Sequence, residues 1–200
     1  STLYADIYTV KPTEVSAFIQ DKMEFQEMVI NLGLRYDMFN PNSPIPSDRR
    51  NPANQLSLPD SMTSAYPNAK PQTQISPRFG LAYQLGDAAV LHFSYGHFFQ
   101  MPPMYSLFKN HSFLIAPNDY STVMGNAELK AEKTVTYEIG LWQQLFPGAG
   151  LEVSLFYRDI YNLLSTRIIS TYNQIEYGLY SNKDYGLSLI HISEPTRLAT

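Results

Sequence analysis

The sequence predicts an all-β fold: an antiparallel β-meander of about six long strands, forming an open part of a large transmembrane β-barrel. Apolar and polar side chains alternate with a period of two, as on a strand with two different faces. In the segment Met28 to Phe39, for example, Leu32 and Leu34 share one face while Gly33 and Arg35 share the other. Such segments run for about ten residues, the length of a membrane-crossing strand, against about five or six in soluble sheets. Their connections switch between very short and very long.

The first predicted hairpin consists of the strands Val15 to Phe25 and Met28 to Phe39, with a short turn at Gln26 and Glu27. A long loop, Asn40 to Thr73, follows. Its seven prolines are Pro41, Pro44, Pro46, Pro52, Pro59, Pro67 and Pro71. A structureless loop of this length is unusual in a compact soluble domain but typical of the outer side of a membrane barrel.

The second hairpin is predicted from Ile75 to Tyr83 and from Ala89 to Gly96, with a tight turn at Gly86 and Asp87. A second long excursion then runs from Gln100 to Glu132. Short and long connections therefore alternate in the same order as in the first hairpin.

The third hairpin is predicted from Thr134 to Leu145 and from Leu151 to Tyr161, around the turn 147–150. A third long loop is expected at Leu163 to Lys183. Three short turns on one side and three long loops on the other indicate one repeated layout.

Composition is compatible with a barrel wall and excludes several other classes. Mean hydropathy is only −0.23, as expected where every second residue is polar. A net charge of −4 argues against a nucleic-acid partner. The absence of cysteine excludes a disulfide framework and a thiolate metal site.

The last residues suggest a different origin from the rest. Leu187 to Arg197 reads LSLIHISEPTR and resembles the translation of a transposase adapter used in DNA sequencing libraries. We therefore expect residues 1–186 to be a partial β-barrel, cut at both ends from a longer gene, and residues 187–200 to be non-biological. Any metal role for His191 is discounted for the same reason.

Several segments together resemble the barrel of TonB-dependent outer-membrane receptors, especially those with an N-terminal carboxypeptidase-like regulatory domain. They are Val15–Lys22 (VSAFIQDK), Asn31–Asp37 (NLGLRYD), Ser76–Tyr83 (SPRFGLAY), Phe93–Pro102 (FSYGHFFQMP), Gly125–Lys133 (GNAELKAEK) and Tyr137–Gly140 (YEIG). The resemblance implies a barrel of about twenty-two strands in the outer membrane of a Gram-negative bacterium. It implies outer-membrane lipid and, through N-terminal segments that this chain lacks, the TonB complex as partners. The implied activity is import of a scarce substrate, with siderophores, cobalamin, glycans and peptides all open.

The polar side chains of the sheet support a structural interpretation better than a catalytic one. His92 and Ser94 lie two residues apart, and Asp37 lies on another strand. A hydrolase would need a base within reach of its nucleophile. Neither an orienting group nor an oxyanion donor can be identified, so no enzymatic activity, cofactor or metal is expected.

Other polar and aromatic residues also have a structural and a functional interpretation. Charged side chains expected in the lumen could contact substrate or plug, or simply pair in a ladder across strands; they are Arg35, Asp37, Arg78, Glu138, Glu152 and Arg158. Aromatic and histidine residues at the strand ends predict an interfacial girdle, with inward-facing Phe98 as a possible stacking platform; they are Tyr36, Phe39, Tyr95, His97, Phe98 and Phe99. The substrate-binding residues remain unassigned.

For four polar loop motifs a specific function is not predicted. Turn chemistry explains the pairs Asn118 with Asp119 and Asn182 with Asp184 better than a calcium site does. We expect Asp48 to Arg50 to be a solvated charge cluster. The sequon Asn110 to Ser112 is uninformative in a bacterial outer membrane.

Two alternative functions remain open. A soluble β-sandwich binding module would show the same alternation, but its apolar face at Ile30, Leu32 and Leu34 would pack on a second sheet. An outer-membrane barrel hydrolase would lose activity on substitution of His92. The barrel interpretation also predicts that the isolated chain aggregates in water, because an open sheet exposes its edges.

Overall fold

The computed structural model describes residues 8–115 and 122–192, and these form one large sheet with a cap of packed loops. The elements in chain order are β1 Thr13–Glu24, β2 Met28–Asn40, β3 Gln72–Leu85, β4 Ala89–Gln100, α1 Met104–Phe108, β5 Val123–Met124, β6 Glu132–Phe146, β7 Ala149–Ser170 and β8 Glu176–Ile192. In the described part of the chain, no helix has the length and apolar character needed to cross a membrane.

The eight strands of the described residues belong to a single open sheet in the order β1-β2-β3-β4-β6-β7-β8-β5. Neighbours are antiparallel except for β5, which adds two residues in parallel to β8. The predicted fold class is therefore confirmed, and the six predicted strands correspond to β1 to β4, β6 and the first half of β7.

The prediction of a long loop from Leu163 to Lys183 is wrong. β7 continues to Ser170, a five-residue turn follows, and β8 returns from Glu176. Thr171 closes the turn: its hydroxyl donates to the carbonyl oxygen of Ile175 at 2.8 Å and accepts from the amide of Ile175 at 3.0 Å. The chain thus forms a fourth hairpin at this point.

A bulge separates the lower and upper parts of this hairpin. The pairing of β7 with β8 shifts between Ile160 and Leu163, and Asn162 adopts a positive φ of 59°. The amide of Asn162 donates to Asp184 Oδ1 at 2.8 Å, and its carbonyl oxygen accepts from Asn182 Nδ2 at 2.7 Å. Bulges of this kind bend a strand locally, so the upper hairpin leaves the direction of the lower sheet.

The sheet has an apolar and a polar face. On the apolar face, cross-strand neighbours form continuous rows such as Leu34–Pro77 and Leu81–Phe93–Ile139–Leu155. Large side chains on this face stay exposed: 72% for Ile19, 47% for Leu34 and 62% for Ile75. Since all described strands lie in one sheet, no second sheet covers this face, and the β-sandwich alternative is wrong for the described residues.

The buried core lies in the loops rather than between layers of sheet. We define the loop cap as residues 41–71, 101–115, 122–131 and the upper hairpin 163–183. One core cluster unites Phe39, Ile45, Ala69, Leu107, Phe108, Ala127 and Leu129. A second unites Phe113, Ile115, Met124, Tyr177 and Leu179. The cap therefore has its own packed interior at one end of the wall.

Candidate functional site

The polar face carries an open concavity of about 450 Å³ in the middle of the sheet. It follows one cross-strand row, in which Gly33, Arg78, Gly96, Thr136 and Arg158 are successive neighbours on β2, β3, β4, β6 and β7. Alternation places all five on the same face of the sheet. Two arginines thus stand in a row whose other members are small.

Glycines deepen this concavity. Gly33, Gly80 and Gly96 all line it, and none has a side chain to fill it. At Gly96, an added Cβ would lie 3.3 Å from the ring of Phe98 and 3.7 Å from Cγ of Arg78. The absence of this Cβ lets the side chains from β3 and β4 approach over the backbone.

Both arginines lie against aromatic rings. The Arg78 guanidinium carbon is 5.0 Å from the centre of the Phe98 ring, and that of Arg158 is 5.9 Å from the centre of the Phe156 ring. Within the described ranges, neither guanidinium forms a salt bridge with a carboxylate. Each guanidinium therefore contacts an aromatic ring, and no ion pair among the described residues neutralises its charge.

Near the rim of the wall, an ion pair joins two residues of the same strand. Arg35 Nε lies 2.9 Å from both carboxylate oxygens of Asp37, which is only 3% exposed. Ser16 on the neighbouring strand also donates to Asp37 at 2.7 Å. The interpretation of the lumenal charges as a cross-strand ladder is wrong for this pair, because both partners belong to β2.

The residues considered for catalysis form no hydrolytic constellation. His92 Nε2 lies 3.8 Å from Glu138 Oε1, too far for a hydrogen bond. Among the described side chains, no hydrogen bond joins Ser94 to His92, and Asp37 is occupied by Arg35 and Ser16. The imidazole instead fills the space above Gly140, where an added Cβ would collide with it. This geometry gives Ser94 no base.

The predicted girdle residues separate into three environments. Tyr36, Tyr95 and His97 lie on the apolar face, whereas Phe39 is buried in the loop cap. Phe98 lines the polar concavity, in agreement with its predicted inward orientation. Phe99 shares the parity of His97 on β4.

Two tyrosines beside Tyr95 on the apolar face, Tyr137 and Tyr157, are missing from the predicted aromatic set. They continue the row from Tyr95, with ring centres 5.0 and 6.1 Å apart. Tyr157 also donates a hydrogen bond of 2.6 Å to Asp159. The sequence alone gives the face on which both tyrosines lie and their positions along the strands, so both could have been included. Aromatic rings with polar tips favour a boundary between apolar and aqueous phases.

Asn126, in the range 122–131, connects three of the segments that form the loop cap. Its Oδ1 accepts hydrogen bonds from Arg49 at 2.9 Å and from the backbone amide of Glu128 at 3.1 Å. Its Nδ2 donates to the carbonyl oxygen of Tyr180 at 2.9 Å. One buried amide therefore connects the first loop, the second loop and the upper hairpin.

The expectation that Asp48 to Arg50 form a solvated cluster is wrong for Arg49. The Arg49 side chain is only 15% exposed and pairs with Glu128 at 2.7 Å. Its carbonyl oxygen accepts a 2.6 Å hydrogen bond from the hydroxyl of Tyr177. Burial raises the pKa of Tyr177 to about 12. This segment is a structural connector of the cap.

A short parallel strand completes the cap. β5 pairs with Gly178 and Leu179 on the outer edge of β8, and the amide of Gly178 donates to the carbonyl oxygen of Thr122 at 2.8 Å. Gly125 follows directly, and an added Cβ there would lie 2.5 Å from the Lys109 backbone nitrogen. Only glycine fits this approach of two backbones.

The remaining polar motifs have local roles. Asn110 uses both ends of its amide on the backbone of Leu114, at 2.6 and 3.0 Å. Asn182 accepts from the amide of Lys130, and Asp184 accepts from that of Asn162. Asn118 and Asp119 lie outside the described residues.

Comparison with known families gives one match that covers nearly the whole chain. Residues 2–187 match the family described as "TonB dependent receptor-like, beta-barrel". No curated protein sequence matches significantly.

Solved structures show similar folds at low sequence identity. The chain resembles the FrpB iron transporter from Neisseria meningitidis (16% identity, TM-score 0.55, covering 88% of this chain and 22% of that one). It also resembles the Serratia marcescens hemophore receptor HasR, solved with its hemophore HasA and heme (19%, 0.57, 86% and 30%). A third is the copper transporter OprC (17%, 0.52, 86% and 25%). The chain thus spans less than a third of the length of each, and at these identities the likeness concerns the fold.

Proposed function

We propose, from the premise that this chain belongs to the TonB-dependent receptor β-barrel family, that it is a wall segment of a receptor that imports a scarce substrate. Members of this family reside in the outer membrane of Gram-negative bacteria. The apolar face would contact lipid, the polar face would line the lumen, and the loop cap would project from the cell.

The observation that carries the proposal is the two-sided sheet. Exposed apolar side chains cover one face, whereas arginine, glutamate, amide and hydroxyl groups occupy the other. A tyrosine row crosses the apolar face where the strands approach the cap. Water penalises such an exposed apolar face, while a bilayer favours it.

Coupling to TonB and a lumenal plug would reside in other segments of the complete protein. The chain covers less than a third of the related structures, so both are proposed for the complete receptor only. The substrate is likewise proposed only for the complete receptor and is left unspecified. The related structures are named as an iron transporter, a hemophore receptor with heme and a copper transporter. No covalent chemistry is assigned to this wall segment.

We also propose that the native part of this sequence extends to about Gly186, beyond which the native protein continues differently, and that residues 187–200 derive from a sequencing adapter. The resemblance of LSLIHISEPTR to such a translation supports this. Amplification of the source locus across codon 186 tests it: a different continuation is expected, whereas recovery of the same residues from genomic DNA would overturn it.

The import function is tested by expressing the complete receptor in a receptor-deficient Gram-negative host. Growth is compared on a panel of limiting nutrients (ferric siderophores, heme, cobalamin and oligosaccharides) with and without functional TonB. We expect growth on at least one nutrient only when TonB is functional. Growth that is independent of TonB, or no growth despite correct assembly, would contradict the proposal.

Assembly itself is checked by cysteine labelling of intact cells. Met62→Cys introduces a thiol in the loop cap, and Asp87→Cys introduces one at a short turn; both native side chains are exposed. A membrane-impermeant maleimide should label the first in intact cells and the second only after lysis. Equal labelling of both would contradict the proposed orientation.

A further inference from the structure

The outer edge of β8 carries backbone groups that point away from β7, toward the place of a further strand. In a strand these groups belong to every second residue. The amide of Gly178 is one of them, because it donates to the carbonyl oxygen of Thr122 and not to β7. The extra residue of the bulge lies on β7, so the alternation is unbroken along β8. The backbone groups of Tyr180, Asn182 and Asp184 therefore face the same edge.

The second loop closes the upper part of this edge. β5 pairs in parallel with Gly178 and Leu179. The Nδ2 of Asn126 then donates to the carbonyl oxygen of Tyr180 at 2.9 Å. Two successive outward positions of β8 are thus bonded to one short segment, residues 122–126. A strand that paired with β8 at these positions would have to displace this segment.

The closed part of the edge lies above the upper rim of the wall. β4 and β6 reach this rim in the row Gln100–Glu132. One row lower, Lys133 pairs with Tyr161 of β7, and the bulge follows directly. The rim thus crosses β8 close to Asp184, which lies opposite the bulge. The positions that the second loop occupies lie further toward the cap, where the other wall strands have already ended.

We propose that the next strand of the complete barrel pairs with β8 only from Asn182 downward, and that the second loop closes the edge above. This rests on the proposed barrel, in which β8 descends from the cap to a short turn and the next strand returns beside it. That strand rises along β8 and leaves the sheet below Asn126. The upper hairpin then belongs to the cap alone, and its covered edge is protected from pairing with other chains.

A disulfide tests the closure in the complete receptor after assembly in the outer membrane. Val123 and Gly178 are paired residues, and an added Cβ at Gly178 would lie 3.2 Å from Cγ2 of Val123. Cysteines at these two positions are within reach of a disulfide, which needs Cα atoms no more than about 7 Å apart. This chain has no cysteine of its own. We expect the receptor with Val123→Cys and Gly178→Cys to form the disulfide, as detected by mass spectrometry of its peptides.

Val123→Cys with Ile168→Cys is the matched control. Ile168 pairs with Gly178 from the β7 side and is 71% exposed, so it lies in the same row but one strand further away. Two strand spacings amount to about 10 Å, too far for a disulfide. Equal cross-linking of both pairs would show that the loop is not held at the edge and would overturn the proposal. Absence of the disulfide between positions 123 and 178 in the assembled receptor would also overturn it.

Amide hydrogen exchange in the assembled receptor locates the adjoining strand. The amides of Asn182 and Asp184 should be protected by that strand, and the amide of Gly178 by the second loop. In Gly125→Ala, once protease cleavage near Val123 reports the loss of β5, exchange at Gly178 should accelerate roughly tenfold or more, while Asn182 and Asp184 stay unchanged.

Two exchange results would contradict the proposal. Protection of Gly178 that survives the loss of β5 would show that another strand pairs there. Free exchange at Asn182 would show that no strand pairs below the loop. Failure of the barrel proposal is recognised separately, because the receptor would then not assemble in the outer membrane.

Discussion

Asn126 Nδ2 donates a 2.9 Å hydrogen bond to the carbonyl oxygen of Tyr180, 54 residues further along the chain. The same side chain accepts a hydrogen bond from Arg49, so three segments distant in sequence meet at one buried amide. With two apolar clusters beneath it, the loop cap is a folded unit and not a set of independent loops.

Substitution of Asn126 by alanine should open the cap while leaving the wall intact. The change removes the donor to the Tyr180 carbonyl oxygen and leaves Glu128 as the remaining side-chain partner of the Arg49 guanidinium, at a cost of about 1–3 kcal/mol. Amide hydrogen exchange should accelerate in the upper hairpin and around Arg49 but not in β2 or β3. Asn68→Ala is the control, because this amide is exposed in the same cap; equal acceleration in both variants would contradict the role of Asn126.

Gly125→Ala should displace β5 from β8. The new Cβ would meet the Lys109 backbone nitrogen at 2.5 Å and the Leu107 carbonyl oxygen at 2.7 Å, and backbone cannot yield as a side chain can. We expect protease cleavage near Val123 in this variant. Gly33→Ala should be resistant, since its Cβ would lie 3.5 Å from the nearest atom. Resistance of Gly125→Ala would show that the close approach is not required.

The stability of the cap should fall at high pH because of Tyr177. Its pKa is raised by burial to about 12, against 10.0 for the ordinary group. Below pH 10 the phenol is neutral whether the cap is folded or unfolded, and it contributes no pH dependence. Between pH 10 and pH 12 only the unfolded cap releases the proton, so stability declines.

Tyr177→Phe removes this ionisation and should flatten the decline, as measured by cap melting at pH 8 and pH 11. At pH 8 it should cost about 1 kcal/mol, because the hydrogen bond to the Arg49 carbonyl oxygen is lost. Tyr172→Phe, at an exposed position, is the control. A variant that declines as steeply as the unmodified receptor would contradict this assignment.

Sequence alone predicted the strands of the large sheet well, because each of them has one apolar and one polar face. Alternation fixes the face of every residue, so the parity of Leu34, Phe98 and Tyr137 could be read without coordinates. The same rule failed beyond Asn162, where a bulge shifts the register and the cap packs against the hairpin. There Leu164 and Ile169, of opposite parity, both contact apolar clusters, and the alternation disappears.

The cap network could not be predicted for a different reason. The hydroxyl of Tyr177 bonds to Arg49 across 128 residues, and loop sequence carries no periodic signal that brings such partners together. The polar concavity was predicted only in part. Parity assigned Arg78 and Arg158 to the polar face, but their shared row depends on strand register, which only the structure supplies.

The central claim, a membrane wall with one lipid face, is tested most directly by arginine at two adjacent positions of β7. Leu155 is 44% exposed on the apolar face, while Ser154 lies on the polar face opposite Gly140. Leu155→Arg should destabilise the complete receptor in lipid vesicles by up to about 4 kcal/mol, depending on depth, and Ser154→Arg should cost much less. The measurement is denaturant unfolding in vesicles: a loss confined to Leu155→Arg is predicted, and equal stability of the two variants, or a larger loss at Ser154, would contradict the account.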